Sequence, residues 1–173
     1  MFAPDFLLIF WIILLIGCII LIIQLMRGAP FLPTHMESVL NMVALAKVKT
    51  GDKMVDLGSG DGRIVIAFAR EGLEAHGYDN NPILVWLSRR KIKRAGLQDR
   101  AFIHFQSFWR ADLSRFSIVT LFGMSHIMSG LEKKLKKELP LGARVLSNAF
   151  RFPNWELADK KGAVLLFENI IRY

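Results

Sequence analysis

Asp56-Leu57-Gly58-Ser59-Gly60-Asp61-Gly62 stands where a short apolar strand, Met54 to Leu57, ends and a helix, Arg63 to Arg70, begins. Glycines at such a turn let the backbone bend tightly and approach a ligand with no side chain between them. The pattern continues on the C-terminal side. Glu74 to Tyr78 reads as a second strand, and Asn80-Asn81-Pro82 opens a helix with Val85, Ser88, Ile92 and Ala95 on one face. Ala101 to Phe105 and Ser117 to Phe122 are the third and fourth strands. Ile127, Leu131, Leu135 and Leu139 form the stripe of a helix stopped by Pro140 and Gly142, with Glu132 and Lys136 paired on its outer face. Ala143 to Phe150 is a fifth strand and Ala163 to Ile171 the last. On the N-terminal side, Thr34 and Glu37 form a capping box for a helix reaching about Ala46, with Val39, Met42, Val43 and Ala46 as its stripe. Alternating elements predict an α/β fold with a mostly parallel sheet and helices on both faces. Little helix separates the last two strands, so the final one is expected to be antiparallel.

The chain has 173 residues, is 53% hydrophobic and carries a formal net charge of +8. The apolar excess is concentrated from Phe6 to Leu25, a run without charge that would span ~30 Å as a helix, the thickness of a bilayer's hydrocarbon core. The start lacks the basic region of a signal peptide, and the run exceeds the usual h-region length. A retained transmembrane anchor over residues 1–28 is therefore expected, with a cleaved leader or a helix buried in a partner as alternatives. Residues 29–173 form the second domain. Arg27 and the basic remainder place that domain on the cytoplasmic, or matrix-equivalent, side of the membrane. Gly28 to Pro33 is a short, stiff connector that keeps the domain near the bilayer. The lone cysteine, Cys18, excludes an intrachain disulfide and a thiolate zinc site, and no metal is expected.

The glycine turn selects its ligand. A dinucleotide fingerprint counted from Gly58 needs a third glycine at the position of Arg63. Asp56 and Asp61 also flank the turn, and a pyrophosphate disfavours added negative charge there. S-adenosylmethionine carries no phosphate, and its amino cation suits an acidic glycine loop. Asp79 ends the second strand, where a carboxylate can accept both ribose hydroxyls.

Four stretches resemble one family: VDLGSGDGRIVIAFA, GYDNNPILVWLSR, FWRADLS and LEKKLKKELPLGARVLSNAFRFPNW. Over about Pro30 to Trp155 the chain is similar to the membrane-associated protein-lysine methyltransferases, whose mitochondrial members modify the ATP synthase c-subunit and the adenine nucleotide translocase. The glycine stretch is shared by many class I methyltransferases; the Asn-Pro after Asp79 and the Phe-Pro-x-Trp ending at Trp155 are the more particular matches. Asp79 stands where mitochondrial members usually carry glutamate, which keeps the charge and shortens the reach. The resemblance implies a Rossmann-like class I methyltransferase sheet behind the N-terminal transmembrane helix. It implies S-adenosyl-L-methionine as cofactor, and as substrate a protein with a juxtamembrane lysine.

Asp56, Gly58, Ser59, Gly60, Gly62, Asp79 and Asn80 are the expected cofactor-binding residues. Ser107 and Phe108 join them, because class I enzymes hold the adenine after the third strand; Trp109 follows, and plain core packing is the competing reading for these aromatics. His126 can take a proton from the nucleophile, although capping or surface exposure is the commoner fate of a lone histidine. Arg89, Arg90, Lys91, Lys93 and Arg94 crowd one helix and Lys133, Lys134, Lys136 and Lys137 another. A solvated face is the plain reading, anionic lipid headgroups come next and nucleic acid last. Phe150, Phe152 and Trp155 either rim a channel for a lysine stem or simply pack. Competing functions are a small-molecule or lipid methyltransferase with the same cofactor site, and a non-catalytic membrane adaptor.

Overall fold

The computed structural model describes residues 4–27, 33–123 and 125–170. Nearly all of the expected connector, Met124, and the expected end of the last strand at Ile171 lie outside the described residues. The chain divides into two compact units, residues 1–32 and 33–173.

The first unit holds helix α1 (Pro4–Arg27). Its side chains are described from Leu7 to Cys18, about 18 Å of helix. Every one of the ten consecutive apolar side chains from Leu7 to Ile16 is 46–64% exposed, all round the helix. Among the described residues, no helix is long and apolar enough to cross a membrane. A span over Phe6 to Leu25 therefore rests on the sequence.

The second unit contains α2 (Met36–Ala46), β1 (Lys53–Leu57), α3 (Arg63–Arg70), β2 (Glu74–Asp79), α4 (Pro82–Arg94), β3 (Ala101–Phe105), β4 (Ile118–Leu121), α5 (Ser125–Glu138), β5 (Arg144–Asn148), β6 (Asp159–Lys161) and β7 (Val164–Glu168). The strands form one sheet in the order β3-β2-β1-β4-β5-β7-β6. Neighbours from β3 to β5 are parallel, and β7 runs antiparallel to β5 as its position after β5 predicts. The central strands are covered on both faces, which is why their sequences are continuous apolar runs and not alternations. One core layer joins α2, α3 and α4 to one sheet face through Met42, Phe68, Val85 and Ile118. The other joins α5 to the opposite face through Leu131, Leu135, Val119 and Phe167. Burying a side chain such as Phe68 stabilises the fold by roughly 2–3 kcal/mol.

Several local expectations are corrected. No capping box forms: the N-cap of α2 is His35, without a side-chain cap bond. Thr34 is buried, and its carbonyl accepts from Arg63 Nη1 at 2.8 Å. Leu45, and not Val43, completes the buried stripe of α2, and Ala95 is an exposed C-cap of α4. The Glu132–Lys136 pair forms at 2.7 Å, but Glu132 points inward and accepts the Asn154 N–H at 2.9 Å. It thereby ties α5 to the chain after β5. β6 has no counterpart in the sequence reading, because its three residues are polar and exposed.

Arg144, in buried strand β5, closes the α2 side of the sheet. Its guanidinium donates to the carbonyls of Ala46 and Lys47 and meets Asp52 at 2.6 Å. Arg144→Met would take the counter-charge from Asp52, which keeps Ser117 and the Lys49 N–H as donors, and would leave two carbonyls without their donor. It is expected to lower stability by roughly 3–5 kcal/mol, read as a fall in the urea midpoint.

Candidate active site

The glycine loop leaves β1 by hooking over β2. The N–H groups of Gly58 and Ser59 both donate to the Tyr78 carbonyl, at 2.9 and 3.0 Å. The Gly60 N–H donates to Asp79 Oδ2 at 2.8 Å, and the Asn81 N–H to Oδ1 at 2.8 Å. The backbone N–H of Asn80 also points at this carboxylate. Asp79 thus joins the loop after β1 to the loop after β2, and its three backbone donors leave about one of its four lone-pair sites for a further donor. Asn81 caps α4 by accepting from Ile83 and Leu84.

Two glycines are required by close approach. At Gly62, with φ +79°, an added Cβ would lie 2.8 Å from Ser88 Cβ, so the loop rests directly on α4. At Gly77 of β2 it would lie 2.5 Å from Ser59 Cβ. The Ser59 side chain therefore lies against β2. Its Oγ is buried and has no partner among the described residues.

The two loop acids differ. Asp56 is buried beneath the loop, where its Oδ1 accepts from Thr120 Oγ1 of β4 at 2.8 Å. Burial, reinforced by the charges of Asp79 and Asp61, pushes its carboxyl up to about 7 against the pull of Thr120. Burial also pushes Asp61 upward. Hydrogen bonds from Arg63 and Lys91 outweigh it and hold Asp61 at about 2. Lys91 meets Asp61 at 2.6 Å and Arg63 at 2.8 Å. Asp61 is thus committed to the fold, and Asp56 has no cationic partner among the described residues. Burial raises the Asp79 carboxyl, against its three backbone donors.

After β3, Ser107 precedes a single 3-10 turn, Phe108–Arg110, with Ser107 and Phe108 half-buried. The Phe108 ring packs beside Trp109, 5.1 Å between centroids. All the expected cofactor residues thus stand at the C-terminal ends of the adjacent strands β1, β2 and β3, the end at which open α/β sheets bind ligands.

A cleft of about 710 Å³ opens beyond the C-terminal end of β5, between Ser125, Met128 and Ser129 of α5 and residues 149–153. His126 is exposed in the first turn of α5 and does not line it. Phe152 packs edge-on against Phe167, and the Trp155 indole N–H donates to the Glu168 carbonyl at 2.9 Å. Phe150 also lines the cleft, in edge contact with Phe122. Sequence reading missed two groups, one at the cleft and one just before it in the chain. Asn148, ending β5, is buried with Oδ1 unpartnered among the described residues. Arg151 supplies a cation to the cleft. A buried amide closing a strand was the available signal for Asn148.

Residues 56–159 match the model of the ANTKMT methyltransferase domain. The chain belongs to this family. Relatives of the ANTKMT methyltransferase domain include the ATP synthase c-subunit lysine N-methyltransferase of Mus musculus, 45% identical over 126 residues that cover 73% of this chain and 51% of the mouse protein. The adenine nucleotide translocase lysine N-methyltransferase of Mus musculus is 40% identical over 135 residues, covering 78% of this chain and 58% of that one. This chain spans about half the length of these curated relatives. Among solved structures, an RNA methyltransferase from Salinibacter ruber in complex with S-adenosyl-L-homocysteine superposes with a TM-score of 0.74 at 32% identity, covering 79% of this chain and 91% of that one.

The raised Asp56 carboxyl makes stability depend on pH. Unfolded, Asp56 ionises near pH 4; folded, it keeps its proton to about pH 7. Between these values the unfolded state binds fewer protons, so Asp56 makes stability fall as pH rises, by a few kcal/mol in all. Asp56→Asn should remove that fall. Urea midpoints of the two ligand-free proteins at pH 4.5 and pH 8 check it, with the variant gaining at pH 8.

Proposed function

We propose that the chain is an S-adenosylmethionine-dependent protein-lysine N-methyltransferase, anchored at a membrane, that modifies a lysine of a membrane protein close to the cytoplasmic, or matrix-equivalent, surface. The observation that carries the reading is the 2.8 Å bond from Gly60 to Asp79, which builds one cofactor cradle out of two loops.

The residues present fit S-adenosylmethionine. Gly58 and Gly60 let the backbone approach it, Gly62 lets the loop rest on α4, and Ser59 contributes its backbone while its side chain packs against Gly77. Asp79, with Asn80 beside it, accepts the ribose hydroxyls. Asp56, half-ionised near neutral pH, is drawn to full ionisation by the amino cation. Ser107 and Phe108 wall the adenine. When bound, the cofactor supplies an electrophilic methyl group on a sulfonium.

The chain's own task is to deliver an unprotonated amine in line with that methyl and to exclude water. A lysine begins near pKa 10.4. In the cleft it meets apolar Phe150 and Met128 and the like charge of Arg151, and both lower its pKa. Its proton then leaves to solvent, since among the described residues no carboxylate lines the cleft.

The relatives named for the ATP synthase c-subunit and for the adenine nucleotide translocase support a protein lysine as the acceptor. The apolar run supports the anchor, because a helix hydrophobic all round needs an apolar surround. A nucleic-acid substrate is disfavoured by the engagement of Arg63, Lys91, Lys134, Lys136 and Arg144 in ion pairs within the fold.

Asp79→Ala is expected to weaken calorimetric binding of S-adenosylmethionine by roughly tenfold or more, as two hydroxyls lose a charged acceptor worth ~1.5–3 kcal/mol each. Peptide mass spectrometry of membrane proteins from cells with and without the gene tests the acceptor. A methylated juxtamembrane lysine is expected to vanish with the gene. Unchanged protein methylation beside a lost methylated lipid or metabolite would replace this reading with the small-molecule one.

A further inference from the structure

The outward side of α4 is neither a plain solvated face nor a core face. Val85, Ser88 and Ile92 are its buried residues. On the opposite side a helix of this length aligns positions 83, 86, 90, 93 and 94 within about 100° of arc. Ile83 is 69% exposed and Trp86 59%, and among the described residues neither is covered by any other element. Arg90 lies over the Trp86 ring at 5.3 Å. Lys93 and Arg94 continue the stripe, both exposed. The other two cations of this helix are engaged within the fold: Arg89 donates to the Ile103 carbonyl and Lys91 to Asp61. Phe105, 61% exposed, ends the edge strand β3 on the sheet face that α4 covers, as burial of Ala101 and Ile103 shows.

We propose that this stripe of α4, with Ile83 and Trp86 leading and Arg90, Lys93 and Arg94 behind, is an interfacial face that lies on anionic lipid headgroups. The inference deepens the membrane reading above, by naming the surface that sets the domain's orientation. Trp at the headgroup level and an aliphatic side chain just beyond it are what an interfacial helix inserts, while its arginines and lysines meet phosphate. Each basic side chain near an anionic surface adds about fivefold to partition, ~1 kcal/mol. Nucleic acid fits less well, since Ile83 offers no π face for a base to stack on. The N-terminus of α4 follows Asp79 directly, through cap residue Asn81. Docking this face brings the cofactor end of the sheet to the membrane surface, where a juxtamembrane lysine is found.

The test places a nitroxide on the full chain carrying Cys18→Ser and Ile83→Cys, reconstituted in bilayers of phosphatidylcholine with or without phosphatidylserine. A second sample carries the label at Asp159→Cys, on exposed β6, as the aqueous reference. In anionic bilayers the label at 83 is expected to gain several-fold in collision with oxygen relative to a water-soluble nickel chelate, while the label at 159 does not. Reversal of Arg90, Lys93 and Arg94 to Glu should return the label at 83 to water and leave calorimetric cofactor affinity within about twofold. A label at 83 as open to nickel as the one at 159 overturns the proposal, as does immersion indifferent to lipid charge and to the reversal. Protection by single-stranded RNA but not by lipid overturns it too, in favour of a nucleic-acid platform. A label at 83 that stays in water on anionic bilayers, with the juxtamembrane methyl mark intact, would refute this face alone. Immersion without any lysine mark would refute the function and spare the face.

Discussion

The structure depends on a carboxylate held between two loops. Asp79 accepts from the backbone of Gly60 on one side and Asn81 on the other, at 2.8 Å each. A charge-assisted bond to backbone N–H is among the stronger neutral-pH interactions available to a loop. It fixes the C-terminal end of β1 relative to that of β2 while leaving some acceptor capacity on the carboxylate. The glycines on either side follow from this constraint. The loop can reach Asp79 only by lying flat on β2 and α4, and Gly77 and Gly62 are the positions where a Cβ would prevent that.

A second consequence is electrostatic. Three aspartates crowd the loop, and their charges are managed in three ways. Asp61 is paired with Arg63 and Lys91, Asp79 is held by backbone donors, and Asp56 has only Thr120 and rests half-ionised near neutral pH. An unpaired buried carboxyl is costly to ionise, so it is ready for a cation that arrives with a ligand. The network extends beyond the loop, because Arg63 also holds the Thr34 carbonyl at the start of α2.

Much of this was legible in the sequence, for physical reasons. The strand-turn-helix at the glycine loop, the bounds of α3 and β3, and the antiparallel β7 followed from period, breakers and connection length. What failed was whatever depends on azimuth or on distant partners. The capping box at Thr34 and Glu37 had the right spacing, yet the folded chain buries Thr34 and gives its carbonyl to Arg63. Spacing alone paired Glu132 with Lys136 but could not tell that the pair faces inward to hold Asn154. Lys91, thirty residues away, ties Asp61 into the fold and away from the ligand. The side chain of Ser59 is turned away by the packing at Gly77, and the aromatics of Phe152 and Trp155 are claimed by Phe167. The cleft beyond β5, with Met128, Phe150 and Arg151, is assembled by tertiary contact and carries no local pattern.

The loops after β1 to β3 and the cleft beyond β5 lie in one unit, residues 33–173. The most direct test incubates the purified full chain with methyl-labelled S-adenosylmethionine and native membranes, then separates protein from lipid extract. Label is predicted on protein, recovered as methylated lysine in a peptide next to a membrane span. Label confined to the lipid extract or to small molecules would contradict a protein-lysine methyltransferase.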